Sequence, residues 1–407
     1  MAIVQTKTQN NPKPSKMVGR EKNIIKEIII GGVLVLSFTL PFFVVKNLGS
    51  TISFLSEMSL AEVVATEVKT ASHVKIPEQV KTIYMTSWVA GTKNIRDNLV
   101  KLVDNTEINS IIIDIKDYTG KIAFKVHDEN LEKYEASINR IPDMEEFLEY
   151  LHSKNIYVIG RVSVFQDPHF VQQRPDLAVK KEKDGEVWKD YKGISWLDAG
   201  SIEVWNYIID LARYSHSIGF DEINFDYIRF PSDGDMSKIY YPFSEERILA
   251  DVDLGKAKIL REFFTYLDIK LSDIDVVISA DLFGMVTTND DDLNIGQILE
   301  YALPSFDFIA PMVYPSHYPK NFIGLTNPAA HPYKVVKYSM DKAVEKAKNA
   351  GFNPLKLRPW LQDFDLGADY NAKEVRDQIR ATYDAGLNSW MLWSASNRYT
   401  IEALKLE

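Results

Sequence analysis

The chain has 407 residues, 45% of them hydrophobic and 26% charged, a balance that supplies a large apolar core and excludes disordered and fibrous classes. Its formal net charge is −10, and no block of Lys and Arg survives beyond the amino terminus, so nucleic acid is not an expected partner. It has no cysteine, which excludes disulfides, thiol nucleophiles and thiolate metal sites.

Residues 1–23 are polar and carry Lys13, Lys16, Arg20 and Lys22. The uncharged run from Ile28 to Val45 that follows is about as long as one bilayer crossing requires. The expected organisation is a cytoplasmic tail over 1–23, a transmembrane anchor over 24–45, a stalk or linker over 46–80 and a folded domain over 81–407. A cleaved signal peptide would show a shorter apolar region with small residues close behind it, and Lys46-Asn47-Leu48 offers no such site. The basic flank predicts a single-pass protein of the cell membrane, amino terminus inside and folded domain extracellular.

From Lys81 onward, short apolar runs alternate with amphipathic patterns. Strands are expected at 83–88, 110–116, 157–164, 222–230, 276–283, 308–314, 357–362 and 389–394. Helices are expected at 95–103, 144–154, 204–217, 257–267, 295–302, 335–349 and 372–384, with 401–406 as a short eighth. Gly219, Gly351 and Gly386 each fall where a helix should end before the next strand. Eight such units predict an α/β fold of the (β/α)8 TIM barrel class. The first strand is followed by no G-x-G-x-x-G, which argues against a dinucleotide fold. Two connections are long, 165–200 and 231–255, and both leave the strand ends where barrel enzymes hold their chemistry.

The strand ends carry carboxylates, amides and flat rings. Asp226 stands among the last residues of the apolar fourth strand, where an acidic side chain is costly unless it is paired or has a task. Asp281 stands near the end of the fifth. Cleavage of a glycosidic bond uses two carboxyl groups, so Asp226 is expected as nucleophile or base and Asp281 as general acid. Trp88, Asp114, Lys116, Arg161, Tyr227, Arg229, Tyr314, Trp360, Gln362, Asp363 and Trp393 are the expected substrate-binding set, because rings stack on sugar faces and polar groups hold hydroxyls. On an ideal strand the odd spacing from Asp226 turns Arg229 away, which leaves Arg161 as the alternative cationic partner. Histidines lack paired ligand spacing, the run Asp290-Asp291-Asp292 reads as solvated, and neither a metal nor any cofactor is expected. There is no G-x-S-x-G for a serine hydrolase.

The stretch from Phe220 to Gly234, with Ile278-Ser279-Ala280-Asp281-Leu282-Phe283-Gly284 and Ala310-Pro311-Met312-Val313-Tyr314-Pro315, resembles a glycosyl hydrolase domain family catalogued as a domain of unknown function. The resemblance spans roughly Lys81 to Ser396. It implies a barrel distantly similar to amylase-like hydrolases, whose nucleophile ends strand four, the position of Asp226 here. Those relatives usually carry Glu on strand five, where this chain has Asp281. The expected function is a membrane-anchored glycoside hydrolase acting on an extracellular or cell-wall polysaccharide or oligosaccharide; the alternative is a barrel that binds glycan without cutting it.

Overall fold

The computed structural model describes residues 71–405. Eight apolar segments form strands β1 (Lys81–Met85), β2 (Ser110–Lys116), β3 (Tyr157–Ser163), β4 (Glu222–Asp226), β5 (Val277–Phe283), β6 (Phe308–Met312), β7 (Trp360–Gln362) and β8 (Trp390–Trp393). Each pairs in parallel with the next and β8 returns to β1, closing the barrel. Helices α1 (Lys93–Asp104), α2 (Met144–Ser153), α3 (Ile202–Ser217), α4 (Gly255–Leu271), α5 (Leu299–Ala302), α6 (Pro332–Asn349) and α7 (Ala372–Asp384) fill the crossovers. The eighth position holds a short 3-10 turn, Ile401–Ala403. This is the expected (β/α)8 architecture.

Two elements are shorter than the apolar pattern suggests. The helix expected over 295–302 keeps only one turn, because Leu293, Asn294 and Gly296 all have left-handed backbone that a right-handed helix cannot absorb. Strand β4 stops at Asp226 instead of running to Phe230, because Tyr227 also turns left-handed, with φ of 53°.

Strand alternation sorts the side chains into two layers. On β2, Ile111, Ile113 and Ile115 join the core between barrel and helices, while Ile112 faces the barrel interior with Tyr84, Ile159, Tyr314, Trp360 and Met391. On β4, Ile223 and Phe225 go to the helices and leave Glu222, Asn224 and Asp226 inside. The deepest of these, Glu222, is fully buried and paired with the fully buried Arg358. Its carboxylate also accepts from Ser279 Oγ at 2.5 Å and Tyr157 Oη at 3.1 Å.

The described part of the segment before β1 lies across the amino-terminal end of the strands. Val74 and Ile76 pack on the interior cluster, and Val74 N donates to Asp221 Oδ1 at 2.8 Å. At the other end the two long connections meet: Lys180–Lys181 pairs antiparallel with Ile239–Tyr240. Trp188 lies so close over Gly234 that any side chain there would strike its ring. Among the described residues no helix is long and apolar enough to cross a membrane. The expected tail (1–23), anchor (24–45) and most of the stalk lie outside the described residues.

Removing one member of a buried ion pair strands the other charge, at a cost of about 3–5 kcal/mol. Arg358→Met should therefore lower unfolding stability by roughly that amount, while the double change Glu222→Gln with Arg358→Met should recover much of it. Chemical denaturation measures both, and an unchanged midpoint for the single variant would contradict the assigned pairing.

Candidate active site

The carboxyl-terminal halves of β2 to β5 gather one guanidinium and three carboxyl groups. Arg161, inward on β3, places Nη1 2.7 Å from Asp114 Oδ1 on β2. Its Nε lies 3.1 Å from Asp226 Oδ2, and Nη2 closes on the same oxygen. Nε is also 4.0 Å from Asp281 Oδ2 on β5. Asp226 Oδ1 accepts from Tyr227 N at 2.6 Å, a contact tied to the left-handed turn that ends the strand.

Asp281 lies deepest, with its side chain 1% exposed against 9% for Asp226. Its Oδ1 accepts from Asn224 Nδ2 at 2.9 Å and Trp360 Nε1 at 2.8 Å. Burial, reinforced by the charge of Asp226, pushes its ionisation up to about 8. At neutral pH Asp281 is therefore protonated. With Oδ1 occupied by two N–H donors, the proton sits on Oδ2, the oxygen nearer Arg161. Burial also raises Asp114, although Arg161 and the Tyr84 hydroxyl, 2.6 Å from Oδ2, favour its charged form.

A cleft of about 410 Å³ opens above this cluster, and Asp114, Asp117, Arg161, Gln166 and Tyr227 line it. One wall is aromatic: Tyr84 and Trp393 stack with centroids 4.0 Å apart, and the Arg161 guanidinium lies 5.3 Å from the Trp393 ring. Trp88 stands at the rim with Arg140 over its ring at 4.1 Å. Among the described residues no three His, Cys, Asp or Glu side chains gather as a metal site.

The expected residues divide into three groups. Asp114, Arg161, Tyr227, Trp88 and Trp393 line the cleft, and Asp226 and Asp281 lie beneath it against Arg161. Trp360 and Tyr314 are buried in the barrel interior. Trp360 orients Asp281, and the charges of Asp281 and Asp226 hold the Tyr314 hydroxyl against ionisation after burial has done most of that work. The remaining four do not reach the cleft. Lys116 is fully buried with its ammonium 2.6 Å from Asp167, because a register shift between Asp114 and Lys116 breaks the alternation that would have turned both inward. Arg229 lies over Trp196 and bonds the Phe230 carbonyl and Ser232. Gln362 ties Ser316 to the Phe364 carbonyl, and Asp363 holds Thr400. The residue pattern also passes over Tyr84, Tyr118 and Asn224. Tyr84 is missed because the first strand reads through to Trp88, and Asn224 because its neighbour Asp226 draws the attention. Its signal was the alternation of polar Glu222, Asn224 and Asp226 along an apolar strand.

A family model described as "Putative glycosyl hydrolase domain" matches residues 82–399, and the chain belongs to that family. No curated protein matches the sequence. Among solved structures, a hypothetical protein from Ruminiclostridium thermocellum is 33% identical, covering 49% of this chain and 96% of its own, with a TM-score of 0.43. The PgaB (BpsB) glycoside hydrolase domain from Bordetella bronchiseptica is 16% identical, covering 79% of this chain and 95% of its own. Its TM-score of 0.57 supports the barrel architecture and nothing finer. The glycoside hydrolase domain of PelA from Pseudomonas aeruginosa is 11% identical, covering 79% of this chain and 97% of its own, with a TM-score of 0.44.

The raised ionisation of Asp281 has a direct consequence for stability. The folded state holds this proton more tightly than the unfolded chain, so the contribution is largest below the ordinary Asp range and is lost as pH rises toward about 8. Asp281→Asn keeps a neutral acceptor for Asn224 and Trp360 and removes the ionisation. The variant should gain thermal stability relative to the parent as pH is raised from 6 to 9. Parallel melting curves across that range would refute the assignment.

Proposed function

We propose that this member of the glycosyl hydrolase domain family is a glycoside hydrolase cleaving an extracellular or cell-wall polysaccharide with the pair Asp226 and Asp281. The observation that carries the reading is the convergence of two inward carboxyl groups on one guanidinium at the strand ends. Two inward carboxyl groups from adjacent strands meet one guanidinium beneath a ring-lined cleft, and the charge of one helps keep the proton on the other. Asp226, held by Arg161 and Tyr227 N, attacks the anomeric carbon or draws a proton from water. Asp281 supplies the proton that the leaving oxygen needs, from Oδ2. Tyr84 and Trp393 offer flat faces to the sugar ring. The run Ile28–Val45 would hold the barrel at the outer side of the cell membrane, a placement supported by the sequence pattern.

One observation favours a second assignment of the acid. Asp114 lines the cleft and Asp281 does not, and burial raises Asp114 as well. In that arrangement Arg161 separates the two working carboxyl groups by its own width, and Asp281 serves to hold charge beneath them.

The test is hydrolysis of a broad polysaccharide panel by the full-length protein. Asp226→Asn should lose on the order of 10²–10⁴ in rate. Wild type and variant equally inert across the panel would end the enzymatic reading, and saturable glycan binding by both would favour a barrel that binds without cutting. The acid is identified with aryl glycosides whose leaving group needs no protonation. Its replacement by Asn should spare these substrates while abolishing turnover of the polysaccharide, and the result should fall on Asp281 rather than Asp114. The pH profile gives a further check. The donor must carry its proton, so activity should fall as pH rises through about 8, and a rate that keeps climbing beyond that point would exclude Asp281 as donor.

A further inference from the structure

The three most exposed Trp, Tyr and Phe residues among the described residues are Tyr191 at 81%, Trp88 at 66% and Tyr118 at 58%. Single exposed rings are ordinary on a protein surface. These three, however, all stand on the connections that leave the carboxyl-terminal ends of β1, β2 and β3, at the mouth of the cleft. Trp88 and Tyr118 line the cleft itself. Tyr191 lines an adjoining hollow of about 670 Å³, and its chain neighbour Lys192 lines the cleft, so the turn from Asp190 to Gly193 forms a ridge shared by the two.

Each ring rides on a backbone held in place by hydrogen bonds. Trp88 lies in a short helix capped by Thr86. Tyr118 sits in a turn closed by Gly120 N on the Asp117 carbonyl, and the Asp117 carboxylate is itself fixed by Arg140 and Thr119 N. Tyr191 N donates to the Asp233 carbonyl of the other long connection, beside the Trp188 contact with Gly234 that locks the two connections together. Apart from the Trp88 face that Arg140 covers, these rings stand in water on ordered backbone, which is what a sugar-stacking surface requires, since little ordering cost remains to be met on binding.

We propose that Trp88, Tyr118 and Tyr191 form a platform for further sugars on the β1 to β3 side of the catalytic carboxylates. The protein then binds a run of several sugar residues across its mouth and cuts inside a polysaccharide chain. This rests on the glycoside hydrolase reading and extends it from the bond cleaved to the length of substrate required.

The experiment uses the full-length protein in detergent, with linear soluble polysaccharides and their defined short oligomers as probes. For wild type, viscosity of the polymer should fall well ahead of the release of reducing ends, and short oligomers should be poor substrates. Tyr118→Ala and Tyr191→Ala should each raise KM for the polymer by roughly three- to tenfold, and Tyr191→Ala, whose ring lies outside the cleft, should leave kcat and the short-oligomer kinetics little changed. Tyr150→Ala, an exposed ring on the outer helix α2, should change neither. Release of short products in step with the loss of polymer, or an unaltered KM in the two platform variants, would overturn the platform while leaving hydrolysis intact. Failure of wild type to cleave any probe would instead count against the catalytic reading, and polymer affinity measured on Asp226→Asn with and without Tyr118 and Tyr191 would then decide the platform alone.

Discussion

The site depends on how one guanidinium is shared. Arg161 contacts Asp114, Asp226 and, more distantly, Asp281, and among the described residues no other cation is ion-paired with any of the three. Three ionised carboxylates around one cation would leave a net charge of minus two among buried side chains, an arrangement that is expensive in a low-dielectric interior. Holding a proton on Asp281 removes one of those charges, and the Tyr84 hydroxyl offsets part of another by donating to Asp114. Burial and the crowding of carboxyl groups around one cation thus push Asp281 toward its protonated form without a separate device.

Beneath the site a polar network shares the barrel interior with Ile112, Ile159 and Met391, where a simpler barrel would be filled with branched aliphatic side chains alone. Glu222 with Arg358, Tyr157 and Ser279 forms a lower layer, and Asn224 connects it to the upper one. Such a network stabilises fully only when every member is satisfied, and here Asn224 Oδ1 and Arg358 Nε and Nη1 are buried without a hydrogen-bond partner, so part of its cost is not offset within the network. The apolar material that offsets the cost lies outside the strands, where Ile111, Ile113, Ile223 and Phe225 meet the helix layer.

Much of this was legible from residue order. The alternation along Glu222-Ile223-Asn224-Phe225-Asp226 separates an outward apolar face from an inward polar one, and the structure follows it residue by residue. The eight strands lie where apolar runs place them, with ends shifted by a few residues. What alternation could not supply was any break in itself. The register shift after Asp114 sends Lys116 to Asp167, and the left-handed turn at Tyr227 ends β4 four residues early and carries Arg229 toward Trp196. Both are backbone events without a glycine to announce them. Nor does residue order give the joining of the two long connections, which depends on Trp188 finding Gly234 across a separation of many residues.

The position of the proton on Asp281 follows from a donor and acceptor sequence that begins at the opposite end of the barrel. Glu222, charged and paired with Arg358, can only accept, so Ser279 must give its hydroxyl hydrogen to Glu222. Ser279 Oγ is then left as an acceptor, which requires Asn224 to present its amide nitrogen rather than its oxygen. That nitrogen also reaches Asp281 Oδ1, which must accept in turn. Trp360, whose indole nitrogen can only donate, imposes the same condition on the same oxygen independently. With Oδ1 committed twice, a proton on Asp281 has Oδ2 as its remaining seat, on the side of Arg161 and Asp226. A fixed charge at the floor of the barrel therefore determines which oxygen of the upper carboxyl group carries the hydrogen.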